Sequence, residues 1–267
     1  MKKFYPFGYG AAAISMMKSR SAQANAGFFL DKLPAGTSLL DVGCGPGSIT
    51  VGIAKALAPG NIVGIDIEAS QVELGRQLAR EEGVENCSFQ AASVLDLPMD
   101  DASFDAVYGH TILMQFKDPA PVLDEVIRVL KPGGLVGFRE IDLGASLFHD
   151  EESSMKAVLF NLRRSIFQND GNPDIGRELP SILSSAGLEL VDVSAQYNYA
   201  SSPTAKQRMY KAMAELWDQA DFPAQAEELG WISAAERKAM SDRLEKEGAD
   251  PASFSGTTYV EVVARKP

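Results

Sequence analysis

From Leu39 to about Gly144, short apolar runs alternate with amphipathic stretches. "SLLDVG", "NIVGID", "CSFQAA", "FDAVYG" and "LVGFRE" have the length and content of buried strands. Between them "SITVGIAKALA", "SQVELGRQLAREEG" and "PAPVLDEVIRVLKPGG" read as helices. Ser70 and Glu73 stand at capping-box spacing in the second helix, and the third closes on Gly133 and Gly134 after Lys-Pro. Strands alternating with helices predict a doubly wound, mostly parallel sheet covered on both faces. "LELVDVSAQYNY" predicts a sixth strand, after a helix over 176–186, and "TTYVEVVARK" alternates with period two and predicts a final edge strand.

Three stretches fall outside that alternation. Residues 1–32 are aromatic at the start and helical from Ala11. Ser153 to Gln168 places Met155, Val158, Leu159, Leu162 and Ile166 on one helical stripe. From Pro203 a further stripe carries Met209, Met213, Leu216 and Trp217, and the pattern restarts at Ser233 with Glu236 at capping-box distance. The expected organisation is an N-terminal helical segment, 1–36, and a core, 37–267, with insertions at about 145–175 and 203–250. These helices are expected to form a lid over the sheet's binding edge, peripheral packing being the alternative. Phe4, Tyr5, Phe7, Tyr9, Tyr197, Tyr199, Tyr210 and Trp217 lie in or beside them, as apolar pocket wall or as core.

Composition narrows the partners. The chain is 45% hydrophobic and 23% charged, an ordinary globular make-up. Its formal charge of −11 opposes phosphate backbones and anionic membranes, so neither nucleic acid nor membrane is an expected partner. Two cysteines, Cys44 and Cys87, make no disulfide framework and fit a reduced, cytoplasmic setting. Lys2 and Lys3 precede an Ala-rich piece, but "AAAISMM" is short and followed by Lys18 and Arg20, so a secretory signal is not expected. A homodimer is left open.

The chemistry starts at "SLLDVGCGPG". A loop that leaves a buried strand for a helix is expected to present free backbone N–H groups, and its glycines let a ligand approach closely. Gly43, Gly45 and Gly47 are spaced by two, and Gly52 is five positions past Gly47, so the third glycine of a dinucleotide loop is absent. Asp41, two residues before the first glycine, sits badly beside a pyrophosphate and suits a ligand with an amino or sulfonium group. Asp66, nineteen positions past Gly47, is placed to accept from both hydroxyls of a ribose, or to cap the helix that follows.

"LLDVGCGPG", "VGIDIEASQ", "LDLPMDDASFDAVYGHTILMQFKDP" and "VLDEVIRVLKPGG" occur in that order and together resemble class I S-adenosylmethionine-dependent methyltransferases. The likeness is to the ubiquinone/menaquinone-biosynthesis-like small-molecule branch. It implies a Rossmann-like fold whose seven-stranded sheet ends in an antiparallel strand, with S-adenosylmethionine as cofactor. On this resemblance Asp41 and the backbone of Gly43, Cys44 and Gly45 receive the methionine moiety. Asp66 holds the ribose, Ile67 packs on the adenine, and Gln71 joins the cofactor set. Ser93 stands where the family has an acid for the adenine amino group, leaving the Val94 N–H for the ring, and Arg20 resembles a clamp for the cofactor carboxylate.

Methyl transfer from a sulfonium is an in-line displacement, so a protein mainly aligns the acceptor and excludes water. His110, just after the fourth strand, is a candidate base or acceptor-orienting group, with a purely structural role as the alternative. Arg139, Glu140 and Asp142 end the fifth strand, where one of them, Arg139 being the candidate, can orient a polar acceptor, with solvated or mutually paired charges as the alternative. His149 and Asp150 are weaker candidates, and no cluster has metal-ligand spacing. The expected activity is methylation of O, N or C of a small, largely apolar metabolite. The alternatives are a non-catalytic S-adenosylmethionine-binding regulator and an NAD(P)-dependent dehydrogenase.

Overall fold

A computed structural model describes residues 5–267; Lys2, Lys3 and Phe4 lie outside them. Along the chain run α1 (Ala11–Lys18), α2 (Ala22–Leu30), β1 (Leu39–Val42), α3 (Ser48–Ala56), β2 (Ile62–Asp66) and α4 (Ala69–Glu81). Then follow β3 (Cys87–Ala91), β4 (Phe104–His110), α5 (Ala120–Val129), β5 (Leu130–Phe148), α6 (Ser154–Gln168) and α7 (Leu179–Ser185). The chain closes with β6 (Glu189–Tyr199), α8 (Pro203–Gln219), α9 (Asp221–Glu228), α10 (Ala234–Ala249) and β7 (Ser255–Arg265). The strands form a seven-stranded sheet in the order β3-β2-β1-β4-β5-β7-β6. It is parallel from β3 to β5, and its last strand is antiparallel. This is the mostly parallel sheet that the alternating pattern predicts, with the seven strands and antiparallel last strand that the family resemblance implies.

Four local expectations are corrected. β7 is not an edge strand: it lies between β5 and β6, with Val262, Val263 and Ala264 at most 1% exposed. Period two reports which face of a strand is buried, not how many neighbours it has. α4 begins at Ala69 rather than on a Ser70 capping box, because Asp66 Oδ1 takes the Glu68 N–H at 2.9 Å and turns the chain into the helix early. α5 stops at Val129, since Leu130 already pairs with Phe104 and the strand continues to Phe148. The helix expected over 176–186 is a 3-10 turn, Ile175–Glu178, followed by α7.

The chain divides into two compact units. The first gathers the described residues up to Met16, Ile141–Asp174 and Gln196–Tyr259. α6 buries the expected stripe of Met155, Val158, Leu159, Leu162 and Ile166. α8 buries Tyr210, Ala214, Leu216 and Trp217, with Met209 and Met213 half-buried, so its core face is centred on the aromatic rings. α10 carries the Ser233–Glu236 capping box. Glu247 ties three helices together, accepting from Ser153 Oγ at 2.6 Å before α6 and from Tyr210 Oη at 3.0 Å on α8.

The second unit gathers Met17–Glu140, Ile175–Ala195 and Val260–Pro267. The 1–36 segment is therefore divided after Met16. α2 belongs with the sheet because Ala22, Ala26 and Phe29 join one apolar cluster with Leu39, Ile53, Ile62 and Tyr108. The Phe29 ring occupies the space a Cβ on Gly137 would need, 2.4 Å away, so this helix docks only over a glycine.

Candidate functional site

β1 is buried along its whole length, and at Gly43 it passes into the loop that leads to α3. Gly43, Gly45 and Gly47 have φ of +74°, +53° and +80°, the left-handed region where side chains are strained. The loop does not present the free N–H cradle expected of it. Gly43 and Cys44 both donate to the Ile65 carbonyl at 2.9 Å, Gly45 donates to Asp66 Oδ2 at 2.9 Å, and Gly47 donates to the Cys44 carbonyl at 3.1 Å. Pro46 has no N–H to give. Between Gly43 and Gly47 the donors are thus turned inward, and the groups beside the loop are carboxylates.

Asp41 is 2% exposed and accepts from Thr50 Oγ1 at 2.6 Å. Burial pushes its carboxyl up to about 7; Thr50 opposes the shift, and the charge of Asp66 adds to it. Asp66 accepts from Glu68 N through one oxygen and from Gly45 N through the other. Burial raises its carboxyl as well, against bonds from the Glu68, Gly45 and Ile67 backbone. A carboxylate has about four lone-pair sites, so Asp66 can turn the chain into α4 and still accept from a ligand hydroxyl. The arrangement suits a ligand that brings positive charge and hydroxyl donors. A pyrophosphate would meet acids and inward-turned N–H groups.

The remaining residues expected at this edge fall into two groups. Ile67 is 73% exposed, and Gln71 is 1% exposed with no partner for either amide atom among the described residues. Gln71 lies one helical turn before Gly75, whose Cα is 2.8 Å from where a Cβ on Gly47 would stand, so its side chain belongs to the same flank as the loop. A buried amide left unbonded costs about 1–3 kcal/mol, and a polar ligand against the loop would bond it. Ser93 instead serves its own turn, its hydroxyl accepting from Leu95 N at 3.2 Å, and Val94 is buried.

The fifth strand does not end at 139–142 as expected but runs on to Phe148. His110, the last residue of β4, stands opposite its middle and is 7% exposed. Burial holds its pKa well below the usual imidazole range, the charges of Arg20 and Arg139 add to this, and a hydrogen bond with the Arg139 backbone opposes it. In the register of β4 and β5, Arg139 stands opposite His110. Arg139 is 4% exposed and bonded to Glu261 Oε1 at 2.9 Å, and Ser194 Oγ donates to the other Glu261 oxygen at 3.0 Å. Its charge is therefore taken up within the fold. Sequence spacing does not single out Thr50 or Glu261. Thr50 has only its place in the first turn after the loop as a signal, and Glu261, 122 residues from Arg139, has none.

In the helical unit His149 Nε2 lies 2.9 Å from Asp150. No group of three or more metal-ligating side chains occurs among the described residues, both cysteines are free, and no described helix is long and apolar enough to cross a membrane. The expected aromatic wall is divided. Tyr210 and Trp217 are fully buried core, whereas Tyr197 and Tyr199 on β6 are about half exposed.

Residues 33–222 match the family model described as a methyltransferase domain. An uncharacterized methyltransferase of Schizosaccharomyces pombe is 36% identical over 147 residues, 53% of this chain and 52% of that one. The demethylmenaquinone methyltransferase of Staphylococcus aureus is 38% identical over 102 residues, 38% of this chain and 42% of that one. The chain spans about half the length of the curated relatives it matches. Among solved structures, that of the (4+2)-cyclase SpnF aligns over 96% of this chain and 82% of its own with a TM-score of 0.56 and 23% identity, a likeness of fold. With the sheet order, the acid-flanked glycine loop and a family model that covers most of the sheet unit, the chain belongs to the class I S-adenosylmethionine-dependent methyltransferases.

Proposed function

We propose that this protein transfers the methyl group of S-adenosylmethionine to O, N or C of a small, largely apolar acceptor that is uncharged or cationic. The observation that carries the cofactor side is the loop with its donors turned inward beside the buried carboxylate of Asp41 and the half-buried one of Asp66. When bound, S-adenosylmethionine supplies an activated methyl on a sulfonium. Asp41 faces the cationic end of the methionine moiety at the Gly43–Gly45 backbone, and Arg20 clamps its carboxylate. Asp66 accepts from the ribose hydroxyls, Ile67 offers an apolar face to the adenine, and Gln71 bonds a polar group of the same ligand. Ser93 is bound up in its own turn, so the Val94 backbone is left for the ring.

His110 enters this scheme as a positioning group. Its burial and its bond to the Arg139 backbone suit the ordering of the strand end better than proton removal from an acceptor. Alignment and exclusion of water then carry the transfer. The reading of the aromatic residues in the helical insertions as apolar wall for the acceptor stays part of this proposal. So do the absence of a nucleic-acid partner, which the charge of −11 supports, and a cytoplasmic location. Titration calorimetry with S-adenosylmethionine and S-adenosylhomocysteine tests the cofactor; binding of neither refutes it. Mass spectrometry of metabolite extracts incubated with the protein and isotopically labelled S-adenosylmethionine identifies the acceptor.

A second reading, a protein that binds S-adenosylmethionine without transferring its methyl group, draws on the internal pairing of Arg139 and the burial of His110. A fold shared with a protein described as a cyclase also shows that architecture alone does not set the reaction. Cofactor recovered intact after incubation with a broad metabolite panel would favour it. The dehydrogenase reading loses ground to the inward-turned N–H groups, and the absence of a nicotinamide absorbance change would close it.

A further inference from the structure

The segment after β4 is held in an unusual way. Thr111 is β-branched and stands at φ +53°, a conformation such residues adopt only where the surroundings enforce it. Its N–H donates to the Arg139 carbonyl at 2.9 Å. The next three N–H groups all go to one carboxylate. Ile112 and Leu113 donate to Glu140 Oε1 at 2.9 and 2.8 Å, and Met114 donates to Oε2 at 3.3 Å. Glu140 is fully buried near the middle of β5. Burial pushes its carboxyl up to about 7, and the three N–H groups oppose that shift.

The turn held in this way decides where Ile112 goes. A Cβ on Gly43 would lie 2.9 Å from Ile112 Cδ1, and one on Gly109 would lie 3.0 Å from Cγ2. Ile112 thus fills the hollow of Gly43 in the cofactor loop and shares that of Gly109 on β4 with the Phe138 ring, Gly109 being in register with Val42 just before Gly43. A continuous path of contacts runs from the Glu140 carboxylate through the 112–114 backbone and the Ile112 side chain to Gly43.

We propose that Glu140 is a positioning residue that seats Ile112 on Gly43 and so sets the glycine loop and the turn after β4 as one piece, coupling cofactor affinity to that turn. The inference rests on the cofactor reading above for its ligand, and on geometry alone for the clamp. In Glu140→Gln the amide oxygen still accepts, but the amide nitrogen faces a backbone N–H, so at least one of the three bonds is lost.

The test is a double-mutant cycle on S-adenosylhomocysteine affinity, by calorimetry, with wild type, Glu140→Gln, Ile112→Ala and the double variant. It is joined to hydrogen exchange at the 112–114 amides. Each single variant is expected to weaken binding about tenfold, within the usual range for coupled sites. The double variant is expected to be no weaker than either, because both break the same path. Exchange at 112–114 is expected to quicken in Glu140→Gln while β1 and β4 stay protected, which a general loss of stability would not produce. Losses that multiply in the double variant overturn the inference, as does unchanged exchange at 112–114. Should Glu140→Gln fail to fold, Ile112→Ala alone decides, and wild-type affinity in that variant refutes the path. If the wild type binds no S-adenosylhomocysteine, the cofactor reading fails, while exchange in ligand-free protein still judges the clamp.

Discussion

Lowering the pH from 8 to 6 should weaken S-adenosylhomocysteine binding through Asp41. In the ligand-free protein its carboxyl titrates at about 7, raised from 3.8 chiefly by burial. A ligand whose cationic end faces Asp41 needs the carboxylate, so its apparent affinity scales with the ionised fraction. For a single group titrating at 7 that fraction is roughly nine-tenths at pH 8 and one-tenth at pH 6, which makes a loss of about tenfold, or ~1.4 kcal/mol. Binding should accordingly release ~0.9 proton at pH 6 and ~0.1 at pH 8. Calorimetry at both pH values, in two buffers of different ionisation enthalpy, counts these protons directly. The ligand's own amino group also titrates, so Asp41→Asn is measured alongside and its slope subtracted. Equal pH slopes in Asp41→Asn and wild type would refute the reasoning, and so would the absence of proton release at pH 6.

The same shift has a consequence for stability. A folded-state pKa raised above the unfolded value means that the fold holds the proton longer, so this contribution is complete below about pH 4 and is lost as pH rises through about 7. Asp41→Asn should therefore stabilise the ligand-free protein at pH 8, by up to about 4 kcal/mol for a shift of this size, as read by urea melts; no gain at pH 8 would contradict the burial argument. Glu261→Ala leaves Arg139 buried without its carboxylate and should cost about 3–5 kcal/mol, whereas Arg139→Met with Glu261→Leu should recover most of that loss. In Gly47→Ala the new Cβ would lie 2.8 Å from the Gly75 backbone at φ +80°, so a loss of about 2 kcal/mol or more and weaker cofactor binding are expected; wild-type stability would show that α4 yields. Tyr210→Phe removes the hydroxyl that donates to Glu247 and should cost about 1 kcal/mol of the helical unit's stability, seen as a lower thermal midpoint.

Much of this protein is legible in the order of its residues. The inner strands β1 and β4 are short apolar runs, because a strand covered on both faces has no polar side to show. At the sheet edge, by contrast, β3 buries only Phe89. The Ser233–Glu236 cap and the α6 stripe are equally plain, since both depend on neighbours three or four residues apart. Asp41 and Asp66 stand out because each lies at a fixed distance from the glycines. The departures share a cause. Ser70 has the look of a cap in isolation, but Asp66 claims the backbone N–H that sets the helix start. β7 has the pattern of an edge strand because alternation carries no record of its neighbours.

By itself, the sequence determined the order of elements, the family and the acids beside the loop, all of which rest on spacings of a few residues. Only the tertiary structure decided where the loop's N–H groups point, since Gly43 and Cys44 spend theirs on Ile65, a residue of the neighbouring strand. It alone decided that Arg139 is answered by Glu261 and that Glu140 holds the turn over Gly43. Those pairings join residues 122 and 28 positions apart. A buried charge or N–H must find a partner wherever the fold brings one within reach, and no local pattern encodes that meeting.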